Sequence, residues 1–104
     1  MPTFEIVQGD YGKIYRGIIE NEDLSDHTAV LNLWDYSDTK LLADKTCSVS
    51  LSGTDTLIDY TPAQTDFSTI SPGLYKANFV LTKTGTVERT IPFNFEVFEK
   101  EPTT

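Results

Sequence analysis

The fold class this sequence predicts is an all-β sandwich of about seven or eight short strands, and three observations predict it. Apolar residues recur with a period of two rather than about 3.6. Turn-forming clusters interrupt that alternation about every 8–12 residues. No segment keeps a helical period beyond a turn or two.

Phe4 to Val7 reads as a first strand, stopped by Gln8-Gly9-Asp10, where glycine takes positive φ cheaply and aspartate favours a turn. Lys13 to Ile19 is a second strand, and Asn21 to Asp26 a polar turn. Thr28 to Trp34 is a third strand with Ala29, Leu31 and Leu33 on one face, ended by the turn-forming run Asp35-Tyr36-Ser37-Asp38. Leu41-Leu42 reads as a short edge piece, Ser48 to Leu51 as a separate strand, Gly53 to Asp55 as a turn and Leu57 to Tyr60 as a strand. Pro62 to Ile70 lacks alternation and is expected to form a single helical turn or 3₁₀ segment, before Ser71-Pro72-Gly73 breaks the chain. Tyr75, Ala77, Phe79 and Leu81 then alternate with Lys76, Asn78, Val80 and Thr82, and Ile91, Phe93, Phe95 and Val97 with Pro92, Asn94, Glu96 and Phe98. The short, glycine-bearing link Lys83 to Thr86 makes these two strands a β-hairpin. Residues 1–98 thus read as one domain, and 99–104 as a short flexible tail.

At 104 residues the chain has room for one core and none for a second catalytic domain. Its net charge of −8 is spread along the whole length, which disfavours nucleic acid and anionic lipid surfaces, since both are recognised through clustered lysine and arginine. An electrostatic partner should be basic. The single cysteine, Cys47, cannot close an intrachain disulfide and fits a reducing cytoplasm. No basic n-region precedes an apolar run at the N-terminus, so the expectation is a soluble protein without a secretion signal.

Catalytic chemistry finds little to work with, and no cofactor or metal is expected. His27, the only histidine, reads as a solvated turn residue, and no Gly-x-Ser-x-Gly elbow is present. Gly9-Asp10-Tyr11-Gly12-Lys13 is too short for a phosphate loop and is followed by Ile14 rather than serine or threonine, so its glycines read as turn residues. Glu20, Glu22, Asp23 and Asp26 offer oxygen ligands for calcium, but their spacing matches no EF-hand loop, and a solvated acidic loop is the preferred reading. Tyr11, Tyr15, Tyr36, Phe67 and Phe98 are harder to place in a core. Of these, Tyr11, Tyr15, Tyr36 and Phe98 are the candidate contact residues, against the plainer reading that each packs beneath a loop.

Gly73-Leu74-Tyr75-Lys76-Ala77 resembles the tyrosine corner of immunoglobulin-like domains. The resemblance implies an immunoglobulin-like antiparallel β-sandwich in which the Tyr75 hydroxyl reaches back to upstream backbone. It also implies that Ala77 replaces a disulfide cysteine and that Trp34 fills the tryptophan's core position. The order of the Gly9-Asp10 turn, a strand, Asp23-Leu24-Ser25, a strand and a late Gly73-x-Tyr75 resembles the N-terminal domain of phage baseplate upper proteins and related small immunoglobulin-like virion modules, over roughly residues 4–98. The helical and receptor-binding-protein-docking parts of the baseplate protein have no counterpart in these residues, so the transferable implication is a virion component. On this resemblance the expected role is a non-enzymatic structural module of a bacteriophage particle, in the head, tail or baseplate, assembled in the host cytoplasm and docked to other virion proteins. Particle symmetry makes a homo-oligomer a reasonable expectation. The alternative class is a carbohydrate-binding or cell-surface adhesion module recognising a host glycan, which the same architecture serves.

Overall fold

The computed structural model describes residues 3–99. The tail expected over 99–104 lies outside them except for Glu99. Seven strands form, with no helix among the described residues: β1 (Thr3–Val7), β2 (Tyr15–Ile19), β3 (Thr28–Trp34), β4 (Lys40–Ser52), β5 (Asp55–Tyr60), β6 (Gly73–Lys83) and β7 (Thr86–Phe98). The sheet order is β1-β7-β6-β3-β4-β5-β2. Because β4 pairs β3 through its first part and β5 through its second, the sheet folds over into two layers around one core. One layer is β1-β7-β6-β3 with the start of β4; the other is the end of β4 with β5 and β2. This is an immunoglobulin-like strand order.

Three features differ from expectation. The sheet is mixed rather than antiparallel, because β1 runs parallel to β7, with Thr3 beside Asn94 and Val7 beside Phe98. Leu41-Leu42 and Ser48 to Leu51 belong to one continuous strand. A bulge lies between them, where Asp44 takes a φ of 50° and its N–H donates to the Asn32 side-chain oxygen at 2.9 Å. Asn32, 4% exposed, also contacts Asn78 at 3.3 Å, so its amide fills the gap that the bulge opens. Residues 62–70 form no helix. They make a turn in which the Asp66 N–H donates to the Ala63 carbonyl at 3.0 Å and the Asp66 carboxylate accepts from the Ala63 N–H.

The β6–β7 hairpin closes through Thr84 and Gly85, with φ of 53° and 77°, the pair of positive angles that a two-residue turn matched to strand twist requires. Its inward residues build the core. Phe95 is fully buried and meets the rings of Phe4, Tyr15, Tyr60, Phe67 and Phe93 at centroid distances of 5.1–6.5 Å. Edge-to-face and tilted contacts of this kind add to the burial of each ring. Pro92, which has no N–H to give, stands beyond the described part of β1, where among the described residues β7 pairs with β6 alone. Gly17 faces the core from β2, and a Cβ there would stand 2.9 Å from the Phe79 ring.

Candidate docking surface

Strands β1, β7, β6, β3, β4 and β5 bring three loops to one end of the molecule, residues 8–14, 35–39 and 61–72. The 8–14 loop is tied down by backbone. Gly9 N–H donates to the Phe67 carbonyl at 3.1 Å, Asp10 N–H to Val7 at 3.0 Å and Gly12 N–H to Pro62 at 3.1 Å. Gly9 and Gly12 have φ of 87° and 88°, which an L-side chain rarely adopts. Tyr11, at the tip, is exposed.

The 35–39 turn is organised by one carboxylate. Asp35 Oδ1 accepts the Ser37 N–H at 2.9 Å, the Ser37 hydroxyl at 2.8 Å and the Thr39 N–H at 2.9 Å. The Thr39 backbone bond, then those from Ser37, hold the Asp35 carboxyl below the usual range. The turn therefore presents Tyr36 in a fixed position.

Beneath the third loop lies a buried polar knot. The Tyr60 hydroxyl donates to Asp66 Oδ2 at 2.7 Å, and Lys45 Nζ stands 3.2 Å from Asp66 Oδ1. Burial pushes the Asp66 carboxyl upward, but the bonds from Tyr60, Ala63 and Lys45 outweigh it and leave the group below the ordinary value. Burial, with Asp66 as acceptor and neighbouring charge, raises Tyr60 well above a free phenol. Phe67, next in the chain, is fully buried and so belongs to the core rather than to a contact site. Between this loop and the 35–39 turn opens a cleft of about 350 Å³ bordered by Asp35, Leu42, Asp66, Ile70 and Tyr75.

The aromatic residues left outside the core gather near this end, on the solvent face of the β1-β7-β6-β3 layer. Cross-strand register places Lys40, Trp34, Lys76 and Asn94 in one row over β4, β3, β6 and β7. At ordinary strand spacing that row spans about 14 Å. Tyr36 lies over it, its hydroxyl donating to Asn94 Oδ1 at 3.0 Å and its ring centroid 5.6 Å from the Lys76 ammonium. Lys76 also pairs with Asp38, while the Lys40 ammonium sits 5.2 Å from the Trp34 ring centroid. Leu74 and Phe98 extend the apolar strip on the same face, at 48% and 39% exposed.

The four candidate contact residues therefore separate. Tyr36 and Phe98 share this face, Tyr11 stands at the same end, and Tyr15 does not belong with them. Tyr15 is 5% exposed, alternates inward with Gly17 and Ile19, packs on Phe95, and its hydroxyl donates to the Glu5 carbonyl at 2.8 Å. Trp34 is corrected the other way. The core of β3 is Ala29, Leu31 and Leu33, so the next residue along, Trp34, turns outward and is only half-buried. Gly73 and Tyr75 open β6; the Tyr75 hydroxyl donates to the Ser71 carbonyl and Ala77 is buried, the contacts that the tyrosine-corner resemblance implies. Leu74, Lys76 and Lys40 belong to no motif that marks them as contact residues, although Tyr75 facing inward already places Leu74 and Lys76 on the opposite face.

The remaining reactive side chains lie elsewhere. Cys47 is in the core, and desolvation pushes its thiol up to about 12, so it carries no thiolate at neutral pH. His27 is not solvated as expected: its side chain is 6% exposed, with Nδ1 2.8 Å from Asp26 and Nε2 3.7 Å from Glu88, at the opposite end of the sandwich. Three of the four acids of the run there have internal partners: Glu22 pairs with Arg89, Asp23 accepts from Ser25 and Asp26 pairs with Lys83. Among the described residues no three histidine, cysteine or acidic side chains converge as a metal ion would require. No protein-family model matches this chain, and no curated protein matches it in sequence.

Proposed function

We propose that this protein is a docking module, a structural component of a bacteriophage particle that binds other virion proteins through the outer face of its β1-β7-β6-β3 layer. The single observation that carries the docking reading is the strip formed by Trp34, Tyr36, Leu74 and Phe98, exposed or half-exposed together on one face of the layer. Aromatic residues on a rigid scaffold are the usual anchors of protein interfaces. The Asp35-organised turn fixes Tyr36 before binding, which lowers the ordering cost of association. The virion setting is supported by the sequence resemblance to small immunoglobulin-like virion modules. A net charge of −8 favours a basic partner surface, so binding should weaken as ionic strength rises. Salt-independent binding would contradict the electrostatic part.

The test is quantitative mass spectrometry of purified particles from the source, counting this chain against the major capsid protein. Near parity places it in head decoration, and a small fraction places it in tail or baseplate. Absence from particles overturns the virion reading. Strong, specific hits on a glycan array, lost in Trp34→Ala and Tyr36→Ala, would replace protein docking by carbohydrate binding at the same face.

A further inference from the structure

We infer that the open seam between β2 and β7 is a second docking site, which accepts an extended apolar segment of a partner protein, flanked by lysine or arginine, as an added strand beside β2. The seam is where the folded-over sheet fails to close. Among the described residues β1 and β2 are its two end strands, and there β1 covers β7 from Asn94 to Phe98. Two polar bridges span the gap: Tyr15 to the Glu5 carbonyl below, and Arg89 to Glu22 above. Between them lies a groove of about 230 Å³ walled by Phe4, Gly17, Ile18, Phe79, Ile91 and Phe93, and by Arg16, whose guanidinium is already paired with the Asp59 carboxylate. The missing side chain at Gly17 leaves the Phe79 ring against the β2 backbone, and Ile18 is 58% exposed at the rim.

Main-chain geometry and charge together define the occupant. Among the described strands β2 pairs only with β5, so alternate residues turn N–H and C=O toward the seam, where an extended segment supplies matching groups. At the height of the groove β7 carries Pro92, which lacks an N–H, so β2 is the better template. Alternate apolar side chains of the incoming strand would enter the groove. At its upper end Glu22, Asp26 and Glu88 are linked through Arg89, Lys83 and His27, with Glu20 and Asp23 close in sequence, so acids outnumber bases. A basic flank on the segment complements that end. The site uses a different edge and different residues from the Trp34 face.

The experiment is a titration of isotope-labelled protein, followed by NMR, with a peptide of about six alternating valines and threonines preceded by two arginines. The expected result is amide shifts concentrated in Tyr15–Ile19, ring shifts at Phe79 and Phe93, and about tenfold slower hydrogen exchange at the seam-facing β2 amides. The same peptide with two central prolines should lose these effects, and glutamates in place of its arginines should weaken binding at low salt. Ile18→Lys, at an exposed position, should weaken binding while the melting temperature holds. No shifts at millimolar peptide, equal shifts with the proline peptide, or shifts confined to Trp34, Tyr36 and Phe98 would each overturn the inference; the last leaves the Trp34-face reading standing.

Discussion

The two ends of the sandwich dispose of their polar side chains differently. At the β6–β7 hairpin end, charged groups satisfy one another: Arg89 pairs Glu22, Lys83 pairs Asp26, and the shielded His27 ring lies between Asp26 and Glu88. At the loop end, the Asp35 carboxylate turns to backbone and to the Ser37 hydroxyl, and Asp66 adds Tyr60 and the Ala63 N–H to its ion pair with Lys45. There the aromatic rings Tyr11, Tyr36 and Phe98 are left outside. Acidic density in the sequence therefore marks a surface whose charges are largely paired, whereas the main contact face is better sought where aromatic rings lie outside the core.

The sharpest way to break this contrast is within one strand. Phe95 and Phe98 lie on opposite faces of β7, one fully buried among five rings and the other 39% exposed. Phe95→Ala should cost about 3–5 kcal/mol in denaturant unfolding. Phe98→Ala should stay within about 0.5 kcal/mol of the parent while weakening docking. Equal losses of stability would place Phe98 in the core and remove it from the contact face.

Next in size is the knot under the loop end. Asp66→Asn leaves Tyr60 and Lys45 with a poorer acceptor and should cost about 1–3 kcal/mol by chemical denaturation. The sign of the pH dependence is set by the direction of the shift. The folded-state carboxyl of Asp66 titrates below its unfolded value of about 3.9, so its contribution is complete above that value. It disappears as pH falls through the lower, folded value. Unfolding midpoints should therefore hold between neutral pH and about pH 5 and drop below about pH 4, with a shallower acid slope in Asp66→Asn. An unchanged acid slope in that variant would show that Asp66 is not the group responsible.

A smaller effect on stability and a larger one on binding is expected at Tyr36. Tyr36→Ala should change folding stability by no more than about 1 kcal/mol and weaken partner binding by about tenfold or more, as hot-spot aromatics do. The smallest effect belongs to the hairpin end. Lys83→Met removes an exposed ion pair and should leave both the melting temperature and partner binding nearly unchanged. A loss of binding there would move the contact surface to the acidic end.

Much of this fold is legible in the residue pattern, since period-two alternation marks half-buried strands directly. The hairpin of β6 and β7 and the outward position of Phe98 both follow from which residues alternate with Phe93 and Phe95. Applied to β3, the same parity turns Trp34 outward, since Leu33 and Leu31 face inward; the core tryptophan of immunoglobulin-like domains points to the opposite and incorrect placement. What the pattern hides is long-range. The parallel partnership of β1 with β7 leaves no local signature, and the continuity of β4 depends on the Asn32 amide bridging a bulge at Asp44, a contact between residues on different strands. Tyr15 is ambiguous in sequence for a related reason: its neighbour Gly17 gives no hint of facing the core until the Phe79 ring is seen against it. The contact face itself is assembled from β3, the 35–39 turn, β6 and β7, and only cross-strand register brings those pieces together.

The most direct test of the docking face is incorporation of a Tyr36→Ala/Phe98→Ala double variant into particles, measured by quantitative mass spectrometry against the parent protein with thermal melting recorded for both. The account predicts a nearly unchanged melting temperature and a severalfold loss of incorporated protein. Incorporation at the parental level, with both rings gone and the fold intact, would contradict it.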